Sequence, residues 1–136
     1  MENYSPEQLS QPGKTRTLGL DYNIAGLLCY VPFGFILALI FLLANPKEVR
    51  FVRFHAVQSL LLVAVFAGLF IVLSVVGIVM GQIPVIGTLF ALLMLPVSLL
   101  ISVGALILMV VLILKAYGNQ MWQLPIIGSQ ANRLSA

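Results

Sequence analysis

The stretch AVQSLLLVAVFAGLFIVLSVVGIVMGQIPVIGTLFALLMLPVSLLISVGALILMVVLILK, residues 56–115, carries no charge before its last residue. It is about 59 apolar-dominated residues up to Leu114, or roughly 88 Å of helix at 1.5 Å per residue. A hydrocarbon core takes about 20 helical residues. One crossing cannot use that length, so the run must turn. The turn signal is GQIPVIG at 81–87, where two glycines flank a proline. The first half then reads as a span over about 56–80. The second half, 88–114, is longer than one crossing needs and contains Pro96. It reads either as one long kinked helix or as a short interfacial helix over 84–95 followed by a span over 97–114.

Upstream lies a second apolar run, YNIAGLLCYVPFGFILALIFLLA, residues 22–44. It is long enough to cross, with a kink at Pro32 that membrane helices tolerate. It is too long, and its flank too acidic, for a signal-peptide core, so it reads as a retained span. Asn45-Pro46 ends it, because the residue before a proline disfavours helix. The expected fold is all-α: a polytopic transmembrane helical bundle with three full spans, at about 22–44, 56–80 and 97–114. Four spans are the alternative. The expected organisation is a polar N-terminal segment (1–21), a helical membrane domain (22–118) and a C-terminal tail (119–136).

Composition agrees. The chain is 61% hydrophobic and 8% charged, against about 25% charged in ordinary soluble domains. A soluble chain of 136 residues could not hide that much apolar surface. The seven Lys and Arg are spread over three short segments and make no basic stripe, so nucleic acid is not an expected partner. The single Cys, Cys29, reads as a small packing residue. One His, one Cys and four acids serve zinc poorly, and neither a metal nor a cofactor is expected. No HExxH, P-loop, GxSxG or carboxylate pair is present, so the chain does not read as an enzyme.

The charges sit in three islands: residues 2–21, the loop at 45–55, and the tail. The positive-inside rule counts Lys and Arg. With three spans, Lys47, Arg50, Arg53, Lys115 and Arg133 share one side against Lys14 and Arg16. With four spans the tail changes sides and the bias nearly vanishes. At the end of the last span, Lys115 can snorkel, Tyr117 and Trp122 suit the interface, and Gly118 suits a helix C-cap.

The candidate site is RFVRFHAVQS, residues 50–59, where Arg50, Arg53, His55, Gln58 and Ser59 crowd the entrance of a span. On a helix His55 shares a face with Gln58 and Ser59, while Val52, Phe54 and Val57 are placed toward lipid or another helix. Three readings compete. The arginines meet lipid phosphate while the other three bond to a neighbouring helix; or the cluster is the mouth of a wet path; or His55 is a proton switch. Polar residues deeper in the spans are few: Cys29, Tyr30, Ser74, Ser98 and Ser102. Small-residue pairs, Ala64 with Gly68 and Gly77 with Gly81, would allow close helix approach. QIPVIG at 82–87 returns as QLPIIG at 123–128, either a helix-exit turn used twice or a decayed repeat.

RFHAVQS at 53–59, after a short basic loop and before a long apolar span, resembles the Tic20-like family, as does QLPIIG at 123–128. These are small bacterial membrane proteins related to a subunit of the chloroplast inner-envelope protein translocon. The likeness covers about 18–128. It implies a bacterial inner-membrane location and a role connected with protein translocation. The expected function is a small structural or accessory subunit of a membrane complex. Its expected partners are the lipid bilayer and either other membrane subunits or itself. The alternative is a self-assembled pore or small-solute transporter.

Overall fold

The computed structural model describes residues 13–45 and 49–136. The first part of the polar N-terminal segment, and Pro46, Lys47 and Glu48 of the basic loop, lie outside them. Among the described residues there are five helices: α1 (Tyr22–Leu28), α2 (Gly34–Ala44), α3 (Arg50–Gly81), α4 (Pro84–Tyr117) and α5 (Ile127–Leu134). The all-α membrane-helical reading stands. Two helices, α3 and α4, are long and apolar enough to cross a membrane.

The run 22–44 does not form one helix. It breaks into α1, 7 residues, and α2, 11 residues. These are roughly 10 and 16 Å long, against a core of about 30 Å. The break has a local cause. Pro32 has no N–H to donate into a helix, and the next residue, Phe33, is left-handed at φ 64°. The cap bonds of Cys29 and Tyr30, to the Gly26 and Leu27 carbonyls, tighten the last turn of α1. Gly34 then passes so close to the Leu28 carbonyl that a Cβ would collide with it. The chain folds back through a contact only glycine permits.

The two ends of this helix pair return to one place. Thr15 N–H donates to the Leu20 carbonyl (2.8 Å) and Tyr22 N–H to the Gly13 carbonyl (3.1 Å), closing a turn at 13–22. Arg16 N–H, in the same turn, donates to Asn45 Oδ1 (3.1 Å) just past the end of α2. The turn thus holds the entry to α1 beside the exit from α2.

The helix α3 starts six residues ahead of the expected span, because its first turns are buried by packing. The helix α4 runs unbroken through Pro96, where a short piece over 84–95 and a separate span were one expectation. Apolar surroundings leave the backbone few partners other than the helix itself, and that favours continuity through a proline. Pro84 sits at the first helical position, where its missing N–H is harmless. At the end of α4, Gly118 follows the last helical residue, Tyr117, and takes the cap position. Asn119, at φ 56°, is the left-handed residue, with Asn119 N–H on the Ala116 carbonyl and Gln120 N–H on that of Lys115, a Schellman ending.

The chain divides into two compact units: one drawn from the chain up to Val63 and from Met109 onward, the other Ala64–Leu108. The first holds the buried core. Ala25, Cys29, Ala38, Phe41, Phe51, Val52 and Ala56 form one cluster, and Phe54, Val57 and Ala131 another. At Gly26, a Cβ would stand 3.0 Å from Phe51, 3.3 Å from His55 and 3.5 Å from the Ala116 methyl. There α1 presses against α3 and α4. The second unit presents large apolar side chains such as Phe70, Ile78, Leu92 and Leu100 to its surroundings, as lipid-facing helices do.

Candidate functional site

The polar residues of 50–59 lie in the first unit, and the structure turns most of them inward. His55 and Gln58 are fully buried, and Ser59 nearly so. Val52, Phe54 and Val57 are buried too. The first turns of α3 are therefore enclosed by α1, α2, the end of α4 and the tail.

The break between α1 and α2 supplies the partner for the cluster. It places Tyr30 inside, where its hydroxyl lies 3.0 Å from His55 Nδ1 and 3.1 Å from Gln58 Nε2. Gln58 Nε2 also donates to the Trp122 carbonyl (3.3 Å). A carbonyl only accepts, so the amide nitrogen of Gln58 must face it, and its second hydrogen goes to Tyr30. The Tyr30 hydroxyl is then left to donate to His55 Nδ1. In that arrangement the imidazole is the neutral tautomer with its proton on Nε2, the one that gives every Tyr30 and Gln58 donor a partner. Ser59 Oγ donates to the Cys29 carbonyl, and Cys29 Sγ donates to that of Ala25 (3.2 Å).

The imidazole is packed edge-on by Phe51, Phe54 and Tyr30, with ring centroids 4.6, 5.3 and 5.7 Å away. The Gln120 backbone lies close enough to act on the ring, yet Nε2 closes no hydrogen bond among the described residues, and neither does Gln58 Oε1. Among the described residues these two atoms therefore have the Gln120 backbone as a polar neighbour, on the imidazole side.

The arginines hold the rim. Arg53 Nη1 donates to the carbonyls of Leu42 (2.9 Å) and Asn45 (3.2 Å), satisfying acceptors at the end of α2. Arg50 donates to Asn132 Oδ1 in α5 (2.7 Å). Of the expected anchors, Lys115 bonds Gln120 (2.9 Å) and is half-buried, Tyr117 is exposed, and Trp122 is more than a third exposed. Among the described residues no group of three or more His, Cys, Asp or Glu could hold a metal ion.

Comparison with known proteins places this arrangement. Residues 14–130 match the magnetosome magnetite crystal formation protein family. The chain belongs to this family. Its relatives include a UPF0132 membrane protein of Methanocaldococcus jannaschii, 42% identical over 90% of this chain and 96% of the relative. A second from the same archaeon is 38% identical over 85% of this chain and 71% of the relative. One from Archaeoglobus fulgidus is 39% identical over 82% and 92%. No solved structure matches.

Membership of the magnetosome crystal formation family overturns the Tic20-like resemblance and, with it, the support for protein translocation. The relatives are named as membrane proteins, so the chain is a membrane protein. They are archaeal, which removes the ground for a bacterial inner membrane. RFHAVQS misled for a physical reason. Arginines at a helix entrance and polar residues one turn in are what a helix needs to seat its first turns against neighbours. Such a short motif reports packing more than descent.

Sequence reasoning passed over Tyr30 as a partner, along with Asn45, Asn132 and the tail backbone. One signal was available. A His and a Gln three apart in a charge-free segment need acceptors and donors from elsewhere, and Tyr30, two residues before Pro32, is a polar side chain beside the proline of the first apolar run. QIPVIG and QLPIIG each run into the start of a helix, α4 and α5. In the second, Ile126 takes φ 71° and the helix starts at Ile127, where the first starts at its proline. The shared hexapeptide adopts two backbones.

Proposed function

We propose that this protein is a non-enzymatic structural subunit of a membrane assembly, set in the bilayer by α3 and α4 and associating with itself or with other membrane proteins. The observation that carries this reading is where the polar side chains go. Tyr30, His55, Gln58 and Ser59 bond to one another and to backbone carbonyls inside one packed unit, so they serve cohesion. A conducting path would instead need them open to water. The magnetite crystal formation named for the family supplies the setting of the proposal. With four acids in the whole sequence, the contribution we assign to this chain is made within the membrane and not on a mineral face.

The test places a photo-reactive residue at Phe70 or Leu100, 72% and 74% exposed, in native membranes, and identifies adducts by mass spectrometry. Adducts with copies of the chain or with other membrane proteins are expected. Adducts with lipid alone, or steady ion conductance by the purified protein in planar bilayers, would defeat the proposal.

A further inference from the structure

Every Lys and Arg of the chain falls outside the charge-free run 56–114. The two helices that can cross are α3 and α4. The helix α3, with 32 residues, is roughly 48 Å long, enough to carry the chain through the core, and α4 brings it back. Tyr22–Ala44 does not cross, because the turn at 13–22 holds its entry beside its exit through Arg16 and Asn45. Its outward face is nevertheless apolar, with Ile36, Leu39 and Leu43 exposed, so it dips into the bilayer and returns. The six described basic residues, Lys14, Arg16, Arg50, Arg53, Lys115 and Arg133, are then on one side, and the link Gln82–Ile83 is on the other.

On that side, hydrogen bonds tie together three segments that each carry an arginine. Arg16 bonds through its backbone to Asn45, whose own carbonyl receives Arg53. Arg50 is one turn from Arg53 and bonds Asn132, the chain neighbour of Arg133. Arg53 commits Nη1 to two carbonyls and buries Nε, so it contributes an uncompensated positive charge more than a free fork, and among the described residues no ion pair engages Arg16 or Arg133. Guanidinium groups at the bilayer surface match phosphate in charge and in fork geometry.

We infer that Tyr22–Ala44 is a re-entrant helix pair, and that Arg16, Arg53 and Arg133, gathered beside it on the single basic side, bind the phosphate groups of anionic lipids in the cytoplasmic leaflet. The cytoplasmic assignment follows from the one-sided placement of Lys and Arg, and anionic lipid there attracts such clusters. The inference needs only that the protein is in the membrane and stands apart from the structural-subunit reading.

The full chain, purified in neutral detergent, is offered phosphatidylglycerol or phosphatidylcholine, and retained lipid is counted by native mass spectrometry. Phosphatidylglycerol should be retained about tenfold over phosphatidylcholine, taking roughly twofold for each of the three arginines, a conservative share of the attraction of a surface cation to anionic lipid. In Arg16→Gln/Arg133→Gln, both exposed positions, the preference should fall below about twofold with melting unchanged. Equal retention by the native chain, or full preference in the variant, would overturn the site. Displacement of the lipid by inorganic phosphate would show a free-anion site and overturn the lipid assignment. Topology is read in oriented vesicles, in a Cys29→Ala background. Thr17→Cys and Ser129→Cys should label from the cytoplasmic side and Gln82→Cys from the other. Opposite labelling at 17 and 129 would refute the re-entrant pair.

Discussion

Removing one oxygen tests the buried network. Tyr30→Phe keeps the ring and its contact with His55 and deletes the hydroxyl that accepts from Gln58 (3.1 Å) and donates to His55 Nδ1 (3.0 Å). Two hydrogen bonds are lost. In membrane interiors such bonds average about 0.6 kcal/mol, which sets a floor of roughly 1 kcal/mol. The groups left behind cost more. His55 Nδ1 and one amide hydrogen of Gln58 lose their partners next to Nε2 and Oε1, which already have none. Each buried orphan costs about 1–3 kcal/mol. The expected loss is therefore about 2–6 kcal/mol, read by equilibrium unfolding in mixed micelles. Gln58→Leu should cost less, because it also removes the unpaired Oε1. The double mutant should show a coupling of about 1 kcal/mol. A loss under about 0.5 kcal/mol for Tyr30→Phe, with no coupling to Gln58, would refute the network as the element that fixes α1 and α2 against α3.

Gly34→Ala drives a methyl into the Leu28 carbonyl and should destabilise by more than about 2 kcal/mol in the same unfolding assay, whereas Gly68→Ala, with open space around it, should change stability by no more than about 0.5 kcal/mol; similar values for the two would count against the tight reversal at 29–34. Nitrogen NMR of the labelled imidazole should show the proton of His55 on Nε2 and an acceptor-type Nδ1; the reverse pattern would mean that Tyr30 does not donate to the ring.

Much of this protein is written in its periodicity and charge. A charge-free run of such length, turned at one cluster of glycines and a proline, reads as a pair of membrane helices, because a helix satisfies its backbone groups within its own segment. Arg50 and Arg53 at the head of that run mark where it leaves the interface. The fate of 22–44 was not legible. Its apolar length suits a crossing, and Pro32 in a membrane helix is compatible with a simple kink. The reversal depends on Phe33 entering the left-handed region, on Gly34 meeting a carbonyl and on Asn45 being tied back to Arg16. The last of these joins residues far apart in sequence.

The same holds at the site. The sequence placed His55, Gln58 and Ser59 on one face of a helix, but a face has no direction until something packs on it. Whether that face opened on water or closed on protein was decided by Tyr30, carried inward by the broken helix, and by the tail, which lays the Trp122 carbonyl over Gln58. Hydropathy determines that this chain enters a membrane, since transfer free energy is a sum over residues. Which of its apolar segments cross, and which polar groups find each other, is a matter of pairing, and only the tertiary structure settles pairs.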